Sequence, residues 1–178
     1  MAEAAAKWSI MKTIGIVMGS DSDWPLVKKA YDTLSGFGVE AEVRVISAHR
    51  TPDLATEYAK TAKGRGLKAI IAAAGGAAHL GGILAANTTL PVIGIPVAGG
   101  ALNGVDALLA TLQMPSGIPV ATVALGSAGP VNAALFAVQM LALSDDALAA
   151  KLDAHKKALA EKVAKADAKV NAELAALQ

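Results

Sequence analysis

Five times along this chain a short apolar run gives way to a helical stripe, and that alternation narrows the possible folds more than any single residue. "TIGIVMG" precedes "SDSDWPLVKKAYDTLSGFG", where Leu26, Val27, Ala30, Tyr31 and Leu34 fall on one helical face and "GFG" stops the helix. The pattern recurs as "EAEVRVI" then "PDLATEYAKTAKGRG", "KAIIAAA" then a helix through "HLGGILAANT", "PVIGIPV" then "VDALLATLQM", and "PVATVAL" then "PVNAALFAVQMLAL". Strands joined by crossover helices must run parallel, and right-handed crossovers place helices on both faces of the sheet. The strands are short and almost wholly apolar, as strands covered on both sides must be. The fold class is therefore α/β: a three-layer, doubly wound, five-stranded parallel sheet of flavodoxin-like type, followed by a long C-terminal helix.

The chain has 178 residues, enough for one domain of this kind and short for two. Hydrophobic residues make up 54% and charged residues 17%, an apolar balance that predicts surface buried against other chains, hence a homo-oligomer. Sixteen basic side chains face 15 acidic ones, so the charge gives no footprint for nucleic acid or an anionic membrane. With no cysteine there are no disulfides, thiolate nucleophiles or Cys-based metal sites. The N-terminal "MAEAAAKWSIMK" has neither a basic n-region nor a sustained apolar h-region, and no run of about 18 apolar residues follows, which points to the cytoplasm. Residues 1–12 read as a flexible extension, 13–143 as the α/β domain, and 144–178 as a separate helix.

That last segment has its own logic. Leu148, Leu152, Leu159, Val163, Ala166, Val170, Leu174 and Leu177 form one stripe, and Ser144, Asp145 and Asp146 make a good helix start. A helix of this length spans roughly 50 Å, more than its own domain can cover. The stripe is therefore expected to pack on a neighbouring subunit, with fraying of the Ala-rich end as the alternative.

In an open parallel sheet, ligands bind outside the carboxyl ends of the strands. Three loops fall on that edge: "GSDSD" (Gly19 to Asp23), "SAHR" (Ser47 to Arg50) and "AAAGGAAHLGG" around Gly75, Gly76 and His79. Ser20 or Asp23 could serve only to cap the first helix, and Ser47 and Thr51 the second, with Pro52 and Asp53 in its first turn. Capping explains neither His49 nor Arg50. His79 stands at the start of an apolar helix, where packing histidines are common; His155 lies on the tail stripe, and "QMPSG" is turn chemistry.

"MGSDSDW", "SAHRTPD", "AGGAAHL", "LPVIGIPV" and "LQMPSGIPVATVA" occur in the order, and at about the spacing, of the bacterial N5-carboxyaminoimidazole ribonucleotide mutases of purine (IMP) biosynthesis, which the chain resembles over roughly residues 13 to 145. "SAHR" and "GGAAHL" are similar to the mutase class, whereas related carboxylases that use free CO2 carry "SAHK" and "AGRSN". Two positions depart from the pattern: Ala73 stands where the family has Gly, and Gly81 where it has Pro. Both fall near the loop expected around the reacting base.

The resemblance implies a carboxylate moved from the exocyclic nitrogen to ring carbon C4 by release and recapture of CO2, with no metal, ATP or organic cofactor. It implies His49 as acid and base with His79 beside it. It also implies Ser20, Ser47 and Arg50 on the substrate phosphate, Asp23 on the ribose, and Ser22, Ala74, Gly75 and Leu80 around the trapped CO2. A homo-octamer is implied as well, with the tail helix and "QMPSG" at subunit contacts. Two alternatives stand beside this reading: the carboxylase of the same fold, and a non-catalytic nucleotide-binding flavodoxin-like module.

Overall fold

The structure is a computed structural model and describes residues 12–177. The extension expected over residues 1–12 thus lies, except for Lys12, outside the described residues. Strand β1 (Ile14–Met18) leads through a 3-10 turn (Asp21–Asp23) into α1 (Trp24–Phe37), then β2 (Ala41–Val45) and α2 (Pro52–Ala62). A second 3-10 turn (Lys63–Arg65) precedes β3 (Ala69–Gly75) and α3 (Leu80–Ala86); β4 (Val92–Val97), α4 (Val105–Leu112), β5 (Ala121–Thr122), α5 (Ala128–Ala142) and α6 (Asp146–Ala175) follow.

All five strands are parallel, in the order β2-β1-β3-β4-β5. Every residue of β1 and β4 is buried, as a sheet covered on both faces requires. Side chains alternate across the sheet. Val17, Ile70, Ala72 and Val92 pack with Tyr58, Ala59 and Ala62 of α2 and Leu80 and Leu84 of α3. A Cβ on Gly94 would strike Thr111, which puts α4 on this same face. A Cβ on Gly129 would come within 3.7 Å of Ile95, whose side chain points the other way, so α5 covers the opposite face.

Two expectations change in detail. The fifth strand, expected over "PVATVAL", shortens to Ala121 and Thr122, paired to Ile93 and Gly94. It is an edge strand, Pro119 has no N–H to give to a ladder, and the chain turns through a positive φ of 87° at Gly126. Tyr31, placed on the buried stripe of α1, is 37% exposed, and the buried face consists of Val27, Ala30 and Leu34.

A buried polar cluster supports the amino-terminal end of β1. Arg65 pairs with Glu42 at 2.9 Å, both side chains nearly buried, and its guanidinium lies 4.6 Å above the Tyr58 ring. Burial drives the Tyr58 phenol far above its ordinary pKa, and the Glu42 carboxylate pushes in the same direction.

The chain parts into two compact units between Val138 and Gln139, inside α5. The second unit is dominated by the 30-residue α6, whose N-cap Asp145 accepts from the Leu148 N–H at 3.0 Å, as the helix start in the sequence suggests. Leu148 is buried, whereas Leu159, Val163, Val170, Leu174 and Leu177 are exposed. The stripe repeats every eleven residues, as Leu148, Leu159 and Val170 and again as Leu152, Val163 and Leu174. His155, also on α6, is half-buried.

Candidate active site

The connections that leave β1 and β3 run in opposite directions, because β1 leads to β2 on one side and β3 leads to β4 on the other. A crevice opens at the carboxyl ends of β1 and β3, the switch point where such folds bind ligands. The three polar loops meet there around a cleft of about 490 Å³. Ser20, Asp23, Ser47, His49, Arg50, Ala74, Gly75, His79 and Leu80, nine of the ten residues singled out in the sequence, line it. Gly19, which opens the first polar loop, lines it as well, as do Ala48 and Ala77, which were not singled out.

Ser22 is the exception. The 3-10 turn directs its side chain at its neighbours, with Oγ donating to Ser20 Oγ at 2.9 Å, so it braces the loop and does not line the cleft. Ser20 does act as a cap, but of that short turn, accepting from the Ser22 N–H at 3.3 Å. Asp23 stands at the N-cap of α1 without a side-chain capping bond. Its carboxyl pKa is raised, chiefly by desolvation and slightly by Asp21, against a lowering bond from Ser22.

The second loop is tightly bonded. Ser47 Oγ accepts from the Arg50 main-chain N–H at 3.1 Å and from Arg50 Nε at 3.4 Å, which leaves the hydroxyl's own proton for another acceptor. Arg50 Nη2 donates to the Gly19 carbonyl at 3.0 Å, and the Gly19 N–H reaches the Ala73 carbonyl at 3.2 Å. The guanidinium is thereby held across the ends of two strands with part of its fork open to the cleft. Thr51 and Ser47, read as possible caps of α2, do not cap it with their side chains.

The third loop turns at Gly76, where φ is 59° and a side chain would be strained, and it delivers His79 to the N-cap of α3. His79 Nδ1 lies 2.8 Å from His49 Nε2, with the rings edge-on at 4.9 Å between centroids. One of these nitrogens must carry a proton and the other a lone pair, so each ring constrains the tautomer of the other. Both rings are exposed to the cleft, where a substrate can reach them.

The two departures from the family pattern lie off the wall of the cleft. Ala73 is fully buried and alternates with Ala72 and Ala74, so its methyl points to the face away from α2 and α3. Gly81 is buried in the first turn of α3, where a Cβ would make ordinary contact with Val120 at 3.5 Å. Among the described residues no three His, Asp or Glu side chains converge as a metal site requires. No helix among them is long and apolar enough to cross a membrane.

Sheet order and site together define a flavodoxin-like α/β protein with a histidine pair and an anchored arginine at its switch point. The sequence model of the AIR carboxylase family matches residues 13–162, and the chain belongs to that family. It is 59% identical over 140 residues to the N5-carboxyaminoimidazole ribonucleotide mutase of Bacillus subtilis, covering 79% of this chain and 86% of the relative. The protein of the same name from Brucella melitensis is 56% identical over 151 residues, covering 85% and 93%. Among solved structures, Treponema denticola PurE superposes with a TM-score of 0.80 at 30% identity, covering 89% of this chain and 98% of that one.

Proposed function

We propose that this protein is an N5-carboxyaminoimidazole ribonucleotide mutase, an isomerase of purine biosynthesis, and that His49 performs its proton transfers in the cleft. The observation that carries the assignment of roles is the bonding of His49 to His79 at 2.8 Å directly beside the anchored Arg50. The carbamate nitrogen gains a proton as its C–N bond to the carboxylate breaks and CO2 leaves. Ring carbon C4 then attacks that CO2, and the C4 proton departs to restore the aromatic ring. One proton is given and one is taken, so a single imidazole near neutrality suffices and no net acid or base is consumed.

Arg50, with the free hydroxyl proton of Ser47, offers a fork and a donor to a phosphate dianion, and Ser20, whose hydroxyl donates to Asp21 at 3.3 Å, would turn to the phosphate as a second donor. Asp23 is placed to accept ribose hydroxyls. Its pKa is raised chiefly by desolvation, and hydrogen bonds from sugar hydroxyls would favour the charged form and offset that cost. The small side chains of Ala74, Gly75 and Ala77 beside Leu80 leave room for CO2 while limiting water. His79 fixes the tautomer of His49. No cofactor is needed for these steps.

The test is an absorbance assay with synthetic carbamate and no ATP. Wild type should turn it over, and His49→Asn should lower the rate by at least about 10² while nucleotide still binds. Retention of more than about a tenth of the wild-type rate would refute the assignment. Turnover of aminoimidazole ribonucleotide with bicarbonate in place of the carbamate would favour the carboxylase. We further infer that the enzyme works in the cytoplasm as a homo-oligomer, an octamer by family resemblance, with the α6 stripe and the "QMPSG" loop at subunit contacts. Sedimentation of an active monomer at micromolar concentration would overturn that reading.

A further inference from the structure

We propose that Thr51 is a positioning residue of this site, its hydroxyl closing the turn that sets His49 and Arg50 in place. The kinetic part of the proposal rests on the mutase reading, and the rest stands on geometry. Thr51 occupies the N-cap of α2, where a threonine hydroxyl ordinarily accepts from a backbone N–H two or three residues on. Here it makes no such bond. Its Oγ1 instead accepts from the Ser47 N–H at 3.1 Å and donates to the Ser47 carbonyl at 2.9 Å, and the Thr51 N–H joins the same carbonyl at 2.9 Å. One side chain thus binds both main-chain groups of Ser47. Pro52, which has no N–H of its own, reduces the number of donors the uncapped helix start leaves open.

The consequences run through the whole loop. With its backbone fixed, Ser47 presents Oγ to both the main chain and the side chain of Arg50, at 3.1 and 3.4 Å. Arg50 then reaches the Gly19 carbonyl, and His49, held between the two, meets His79 at 2.8 Å. Thr51 also borders a cavity of about 240 Å³ that shares Gly19, Ser20, Ser47 and Arg50 with the main cleft. A β-branched side chain suits this role because its χ1 has little freedom to leave the bonded position. Loss of the hydroxyl should let the turn relax and shift the imidazole and guanidinium together. A misplacement of about an ångström costs roughly a hundredfold in rate.

The experiment compares Thr51→Val, which keeps the shape and removes both bonds, with Thr51→Ser, which keeps the hydroxyl. Readouts are steady-state kinetics on the synthetic carbamate and NMR titration of the three imidazoles in the free protein. Thr51→Val should lower kcat/KM by roughly ten- to a hundredfold, through both a lower kcat and a higher KM. It should also move the His49 titration midpoint, while Thr51→Ser stays within about threefold of wild type. Wild-type kinetics with an unmoved His49 titration in Thr51→Val would overturn the proposal. So would a loss that serine fails to rescue, since the methyl would then be the part that matters. If the valine variant does not fold, Thr51→Ala against Thr51→Ser reads the same difference. A wild type inert toward the carbamate would refute the mutase reading alone, and the histidine titration would then decide the role of Thr51.

Discussion

Replacing Gly15 by alanine tests the packing beneath the site. A Cβ at Gly15 would stand 2.2 Å from the Tyr58 hydroxyl oxygen, with Leu67 Cδ1 at 3.1 Å and Tyr58 Cζ at 3.3 Å. Ordinary contact begins at 3.4 Å, so the hydroxyl must retreat by about 1.2 Å. Tyr58 is fully buried and lies under the Arg65 guanidinium, which leaves it no vacant space to enter. Overpacking of this kind costs about 1–3 kcal/mol. Disturbing the hydroxyl's interaction with Glu42 adds roughly 1 kcal/mol, for a total of about 2–4 kcal/mol. In a chain of this size that corresponds to a fall in Tm of roughly 4–16 °C, read by calorimetry at a fixed protein concentration. In the Tyr58→Phe background the nearest atom is gone, and the remaining contacts of 3.1 and 3.3 Å require shifts of a few tenths of an ångström. There Gly15→Ala should cost less than about 1 kcal/mol. An equal cost in both backgrounds would show that the clash with the hydroxyl is not the cause.

Asp23 has a folded-state pKa above its unfolded value, so folding favours the neutral acid; that contribution is present at low pH and is lost as pH rises through the folded pKa. Asp23→Asn should therefore raise Tm at pH 7 and leave it unchanged near pH 3, while weakening substrate binding; equal stabilisation at both pH values would rule out titration as the origin. Arg50→Ala should raise KM far more than it lowers kcat, with lysine rescuing only in part, and an unchanged KM would exclude a phosphate role. Gly81→Ala should stabilise the fold by about 0.4–1 kcal/mol, because the helix position has room for a methyl and the unfolded chain loses freedom; denaturant melts showing destabilisation would mean Val120 cannot yield.

The parallel sheet was legible because alternation and buried apolar runs are local signals, and each polar loop was legible because it follows a strand. The fifth strand was overread because "PVATVAL" has strand composition but lies at the sheet edge, where pairing is limited by a single neighbour. The bond between His49 and His79 spans 30 residues and depends on the turn at Gly76, which spacing alone does not reveal. Ser22 was misplaced by a 3-10 turn, whose tighter rotation aims a side chain differently from a helix start. Ala73 reads as part of the loop by proximity, yet strand alternation sends its methyl to the far face. Thr51 looks like an ordinary cap in sequence; only the direction of its hydroxyl shows otherwise.

The eleven-residue recurrence on α6 sets the geometry of anything that lies along it. Eleven residues in three turns is about 3.67 per turn, slightly above the 3.6 of a straight helix. A heptad seam falls on the other side of that value and drifts by about 20° per repeat, which is why heptad helices wind around one another to the left. The ridge from Leu159 through Val163 and Val170 to Leu174 drifts in the opposite sense, by about 20° per eleven residues and so somewhat more slowly along the helix. A heptad partner would leave this ridge within a few turns. A groove that is straight, or that winds gently to the right, could follow it from end to end, so α6 discriminates between surfaces by handedness as well as by greasiness.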